Sequence, residues 1–194
     1  MSDDDDIQDD GFLTGRILIA SPTIGDPRFD KSVIFLCAHE SDHAMGLILN
    51  KPMYSLRLPM LLEQLGVEKA KIAPDKPVLA GGPVEKDRGF VLHTCDYLCP
   101  EGTLPIAAGI GLTATREMLD VLPSADAPRR ALMALGYAGW ESGQLEDEIQ
   151  ANAWLVTEPD EGLIFDDDHG RKWERALHKL GVAPSQLIGS AGHA

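Results

Sequence analysis

Cys37 and His39 stand two residues apart in the apolar run Val33-Ile34-Phe35-Leu36-Cys37-Ala38-His39. In a β-strand such neighbours point to the same face. A thiolate beside an imidazole can serve as a nucleophile with its base, or as a redox-sensitive pair. His93 is a second candidate base. The same run also suits a thiol buried at the end of a core strand, because free cysteine ranks among the most buried residue types. Other catalytic signatures are missing from the chain: it carries no Gly-x-Ser-x-Gly elbow, no His-Glu-x-x-His pair and no phosphate-binding glycine loop. Cys95 and Cys99 are spaced C-x3-C with no second ligand pair at zinc spacing, so neither a metal nor another cofactor is expected. The chain therefore reads as a non-enzyme. Cys37, His39 and His93 are its only candidates for chemistry, and a cysteine-dependent enzyme or redox sensor built on Cys37 is the alternative.

A second kind of chemistry, recognition, is suggested by glycine. Gly136-Tyr137-Ala138-Gly139-Trp140 runs into Ser142-Gly143-Gln144-Leu145-Glu146, an irregular path that ordinary strand–helix links avoid. Within the helix that follows, Gln144 and Glu148 are i,i+4 neighbours and present an amide and a carboxylate on one face. Trp140 is either a recognition platform or a core plug. Gly81-Gly82-Pro83-Val84 makes a special turn, which two glycines open to close approach by a ligand or another chain. A tight turn between strands is the simpler account of it. The candidate ligand- or partner-binding site joins Gly81, Gly82 and Pro83 to Trp140, Gln144 and Glu148, flanked by Asn50 and Lys51. If it is one surface, Trp140→Ala should abolish capture of the ligand or partner.

The elements that must position these residues follow from pattern. Strands are expected over residues 14–20, 32–39, 44–49, 78–80 and 89–93, with a hairpin link at Glu40-Ser41-Asp42-His43. Strand 32–39 is apolar on both faces and so should be covered on both sides. Helices are expected over 56–65, with Pro59 in the first turn and Gly66 at the end, and over 113–122, 144–150 and 172–180. Residues 130–137 and 153–157 read as strands, 162–165 as a short strand, and 184–188 as one more turn of helix. Hairpin links mixed with helical excursions give an α+β fold rather than a βαβ alternation. Residues 1–11 read as a disordered acidic tail and 12–194 as a single domain.

The chain has 194 residues and a formal charge of −14, and setting aside the six aspartates of the first ten residues still leaves −8. Such a field disfavours direct contact with nucleic acid or anionic membranes. No stretch resembles a signal peptide or a membrane span, so a cytoplasmic location is expected.

Several blocks together resemble the YqgE/AlgH family. They are Gly15 to Pro22, Gly25-Asp26-Pro27-Arg28-Phe29, Ser32-Val33-Ile34, Cys37-Ala38-His39 and Gly46-Leu47-Ile48-Leu49-Asn50-Lys51-Pro52. Further along come Gly81-Gly82-Pro83-Val84, Gly89-Phe90-Val91-Leu92-His93, Gly136 to Trp140, Gly143 to Glu146 and Asn152-Ala153-Trp154-Leu155. The similarity runs in order from about Phe12 to Gly189. Ser142, where the family often has Ala, and Cys95 and Cys99 depart from it. The resemblance implies a compact α+β domain with a bifurcated, partly barrel-like mixed sheet surrounded by helices, in a bacterial cytosolic protein. It implies no reaction. One member carries the label of a transcriptional regulator of alginate biosynthesis. On so acidic a chain, regulation through a protein partner or a small ligand is easier than direct DNA binding, which stays as a further alternative.

Overall fold

A computed structural model describes residues 11–188. The acidic run from Asp3 to Asp10, on which the tail expectation rests, lies outside them. The described residues form an α+β fold built on one curled, branched sheet. Its strands are β1 (Ile17–Ala20), β2 (Val33–His39), β3 (His43–Ile48), β4 (Pro52–Arg57), β5 (Pro77–Ala80), β6 (Val84–Thr94), β7 (Thr103–Ala107), β8 (Ile110–Thr113), β9 (Ala131–Glu141) and β10 (Trp154–Thr157). The helices are α1 (Leu58–Gln64), α2 (Arg116–Val121), α3 (Gln144–Gln150), α4 (Glu161–Ile164), α5 (Lys172–Lys179) and α6 (Pro184–Ile188).

The main path runs β10-β1-β2-β3-β9-β6-β8-β7. It forks at β9. On one flank, Gly46 to His43 of β3 pair antiparallel with Ala138 to Glu141, while Leu79 and Ala80 of β5 pair parallel with Ala134 and Leu135. One strand thus holds two partners in succession along the same edge, and β5 carries β4 outward from the fork.

The fork is made by close backbone crossing. A Cβ on Gly82 would lie 2.0 Å from the Tyr137 carbonyl carbon, and one on Gly136 would lie 2.5 Å from the Gly82 oxygen. Gly136 also takes φ +76°, the left-handed region that side chains resist. This residue changes the phase of β9. Before it, Ala134 packs inward with Phe90, while Met133 faces the layer of α1 and α2. After it, Tyr137 packs inward, while Ala138 and Trp140 face the layer of α3.

Strand β2 is covered on both faces, as its pattern requires. Val33, Phe35 and Cys37 join the inner cluster with Trp173 and Leu177 of α5, whereas Ile34 and Leu36 join the outer one with Leu145 and Trp154. Lys172 opens α5 yet is wholly buried. Its Nζ donates to Leu49 O at 3.1 Å and Ile164 O at 3.0 Å, tying the end of β3 to α4, and burial brings its pKa down to about 8.

Three expectations need correction. Residues 162–165 are not a strand: Asp160 Oδ1 accepts from Leu163 N at 3.1 Å and caps α4. Thr113 does not open a helix; it ends β8, and α2 begins at Arg116. Finally, β4, β7 and β8 form where no strand was expected.

Candidate functional site

Trp140 is the core plug of the two readings, only 5% exposed. Its Nε1 donates to Glu148 Oε2 at 2.9 Å, and Trp154 Nε1 donates to the same oxygen at 2.8 Å. Gln144 Nε2 donates to the other oxygen, Oε1, at 2.9 Å, and Gln144 Oε1 accepts from Glu141 N at 3.0 Å. The two indoles meet edge to face, with centroids 5.9 Å apart and an interplanar angle of 77°. Glu148 is thus a bracket that fastens the ends of β9 and β10 through α3, and hydrogen bonds to an ionised carboxylate are the stronger sort.

The other expected residues lie at the fork. Gly81 N donates to Leu135 O at 2.8 Å, and Gly81 O accepts from Ile48 N at 2.9 Å. Pro83 follows in the turn into β6. Asn50 Oδ1 accepts from Val33 N at 2.9 Å, and its Nδ2 donates to Lys31 O at 2.8 Å. Lys51 Nζ donates to Asp30 O at 2.6 Å, and Lys51 O accepts from Ala80 N at 2.8 Å. Among the described residues no hydrogen bond, ion pair or ring contact joins this group to Trp140, Gln144 or Glu148. The eight residues thus fall into a fork and a bracket with no such contact between them among the described residues, and most of their polar groups serve the fold.

The candidates for chemistry are likewise committed. Cys37 is buried, its Sγ donates to Phe35 O at 3.6 Å, and burial pushes its pKa up to about 12, the reverse of an activated thiolate. His39 Nδ1 accepts from Leu13 N at 2.9 Å, which places the ring proton on Nε2, where it is donated to Glu146 Oε1 at 2.9 Å. His93 is the end of a buried relay. Its Nδ1 donates to Thr94 O at 2.9 Å, so its Nε2 accepts from Thr113 Oγ1 at 2.7 Å. Thr113 Oγ1 in turn accepts from Thr103 Oγ1 at 2.8 Å, and Thr103 Oγ1 accepts from Cys99 N at 2.9 Å. Burial lowers the pKa of His93, in keeping with a neutral ring in this chain of donors.

Between fork and bracket, on the inner face of β9, lies an open trough of about 700 Å³. It is the part of the inner layer that α4 and α5 leave uncovered. Tyr137 and Gly139 of β9 and Met45 of β3 form its floor, Phe90 and Leu112 its far side. The Phe90 and Tyr137 rings meet edge to face at 6.0 Å. Arg88 sits over Phe90 with its guanidinium carbon 5.1 Å from the ring centroid, held by Glu85 at 3.4 Å. Burial, then Glu85, pushes the Tyr137 phenol pKa up. Glu141 and His43 face each other across the β3–β9 pair at the opposite rim. An Asp42 Oδ1–His43 Nδ1 bond of 2.8 Å raises the His43 pKa. Gly139 leaves the floor bare: a Cβ there would come no nearer than 3.4 Å to the Tyr137 ring.

The trough is apolar and aromatic in its bed, with the Arg88–Glu85 pair at one end and Glu141 beside His43 at the other, a surface suited to binding. Sequence reading named its neighbours but missed Arg88, Phe90, Tyr137 and Met45 as a set. The alternation of Arg88 and Phe90 on β6 was the available signal. As for metals, Glu40, Asp42 and His43 in the β2–β3 turn bring three ligand atoms within 4.8 Å of one another, all on exposed residues, and no further group converges on them among the described residues.

The chain matches the AlgH-like family model over residues 17–185. A UPF0301 protein of Caulobacter vibrioides is 53% identical over 193 residues, covering 99% of this chain and 97% of that protein. Another, of Bradyrhizobium diazoefficiens, is 50% identical over 191 residues, covering 95% and 89%. The solution structure of the AlgH protein from Pseudomonas aeruginosa superposes with a TM-score of 0.74 at 37% identity, covering 94% of this chain and 96% of that one. A protein of Corynebacterium diphtheriae at 17% identity, with a TM-score of 0.70 over 86% of both chains, shares the fold.

Proposed function

Because the chain belongs to the AlgH-like family, whose fold it shares, we propose that it is a binding protein whose site is the β3–β9–β6 trough. The ligand is a small organic molecule with an aromatic or aliphatic body, and occupancy of the trough is how the chain regulates. The observation that carries this reading is the bare floor at Gly139 beside Tyr137 and Phe90, with Arg88 and Glu141 at opposite ends. A volume of about 700 Å³ falls within the ~300–1,000 Å³ common for small-molecule sites. The committed states of Cys37, His39 and His93 favour binding over cysteine chemistry. Every arginine of the chain has a carboxylate partner, which leaves little guanidinium for phosphates and weighs against direct DNA contact. Among the described residues no helix is long and apolar enough to cross a membrane. A cytoplasmic location belongs to the same proposal.

Gly139→Val tests it. Gly139 does not take a left-handed φ, and valine suits a strand, so the fold should persist while the floor fills. Saturation-transfer NMR against a panel of small aromatic and aliphatic acids, amines and zwitterions should give binders that Gly139→Val weakens at least tenfold. Binders that the variant retains, or a panel without any binder at millimolar concentration, would refute the trough as a small-ligand site. Capture of a protein instead would transfer the role to a partner.

A further inference from the structure

The opposite face of the β6–β9 pair carries a second concavity, and no residue of it lines the trough. It is a cleft of about 470 Å³ between α1 and α2. Because side chains alternate along β6, Arg88 and Phe90 face the trough while Asp87, Gly89 and Val91 face the cleft. Its walls are hydrocarbon: Leu61 of α1, Leu119 of α2, and Met133 and Leu135 of β9. Gly89 clears the bed, since a Cβ there would lie 2.6 Å from the Met133 methyl.

The mouth is polar and only partly satisfied. Arg116 is occupied: its Nε donates to Asp120 Oδ1 at 3.0 Å and its Nη1 to Leu65 O at 2.6 Å, which staples α2 to the end of α1. Asp87, exposed at the same mouth, has no hydrogen bond or ion pair among the described residues. The Gln64 amide and the Thr115 hydroxyl, also at the mouth, have no partner among the described residues either. With Arg116 neutralised by Asp120, the uncompensated charge at the opening is negative, and the field of a chain at −14 adds to it.

We propose that this cleft is a binding site for an amphipathic primary amine, with an alkyl or arylalkyl body between α1 and α2 and an ammonium at Asp87. An ammonium is a three-fold donor with no acceptor. The mouth answers with a carboxylate, an amide oxygen and a hydroxyl. A carboxylate head would meet Asp87 with like charge, and a neutral head would leave Asp87 uncompensated. Apolar burial supplies the affinity and Asp87 the preference among heads. The assignment is independent of the trough.

The test uses the full chain and three probes that share one octyl tail: n-octylamine, n-octanol and nonanoate. Methyl ¹H–¹³C spectra should show shifts at Met133, Leu119 and Leu135, with octylamine the tightest and nonanoate the weakest. Asp87→Asn, an exposed change that should not disturb the fold, should weaken octylamine about two- to fivefold and leave octanol unchanged, as for an exposed ion pair. Gly139→Val should leave all three titrations unaltered. Nonanoate binding as tightly as octylamine, or octylamine binding that ignores Asp87→Asn, would overturn the amine assignment. Absence of shifts at the cleft methyls with all three probes would overturn the site.

Discussion

Replacing Lys172 by methionine measures what a buried ammonium does to this fold. In the native state burial brings the Lys172 pKa from 10.5 to about 8. That gap of about 2.5 units, at 1.36 kcal/mol each, corresponds to ~3 kcal/mol. The sign follows from proton counts. Below about pH 8 the amine is charged whether the chain is folded or not, and the full burial penalty weighs on the native state. As pH rises from about 8 to 10.5, the native lysine releases its proton while the unfolded one keeps it, so stability rises. A neutral amine still has two hydrogens, enough to serve both Leu49 O and Ile164 O. Lys172→Met removes the titration together with the two hydrogen bonds to Leu49 O and Ile164 O, at ~1–3 kcal/mol each. Urea unfolding of both proteins from about pH 7 to about pH 10 should therefore show wild type gaining on the variant by up to ~3 kcal/mol. The comparison cancels tyrosines and cysteines that titrate in the same range. Parallel stability profiles, or a gap that narrows with pH, would refute the idea that Lys172 is a charge held against its solvation.

Trp140→Ala should lower stability by ~3–5 kcal/mol in denaturant unfolding, whereas Trp140→Phe keeps the ring packing and loses one bond to Glu148, at about 1 kcal/mol. A Trp140→Ala protein as stable as wild type would return Trp140 to the surface. Gly82→Ala must push a methyl into the Tyr137 carbonyl, so this variant should be recovered unfolded or with the fork parted, as read by amide exchange of β5. Native-state alkylation followed by mass spectrometry should label Cys95, the half-buried thiol, ahead of Cys37 and Cys99, both buried. Rapid labelling of Cys37 in the folded protein would contradict its raised pKa and revive the redox reading.

Much of the sheet was legible because each central strand carries its own covering instructions. The two apolar faces of Val33 to His39 demand layers on both sides, and α5 and α3 supply them. The β7–β8 pair was not legible. Pro105, Gly109 and Gly111 read as loop, and the pairing of Thr103 with Thr113 is set by β6 behind it. The run at 162–165 is apolar and short enough for either state, and the cap at Asp160 outweighs propensity. The Gln144–Glu148 spacing disclosed half of the bracket. Trp154, the other half, arrives from β10, and nothing local announces it. The trough was obscured for the same reason: Met45, Arg88 and Tyr137 come from three strands that only the curl of the sheet brings together.

Gly136 has a consequence that resembles a reading frame. Upstream of it, odd-numbered residues of β9 face the helices and even-numbered ones the interior; downstream the parity is exchanged. Straightening this one residue into plain strand geometry would carry simple alternation past it and move every later side chain to the other face, turning Trp140 toward the trough and Tyr137 and Gly139 toward α3. The composition would hardly change, but bracket and trough would both be lost, since the same strand end supplies a side chain to each on alternating positions. Backbone conformation at this position is therefore held as tightly as identity, and by the same crossing.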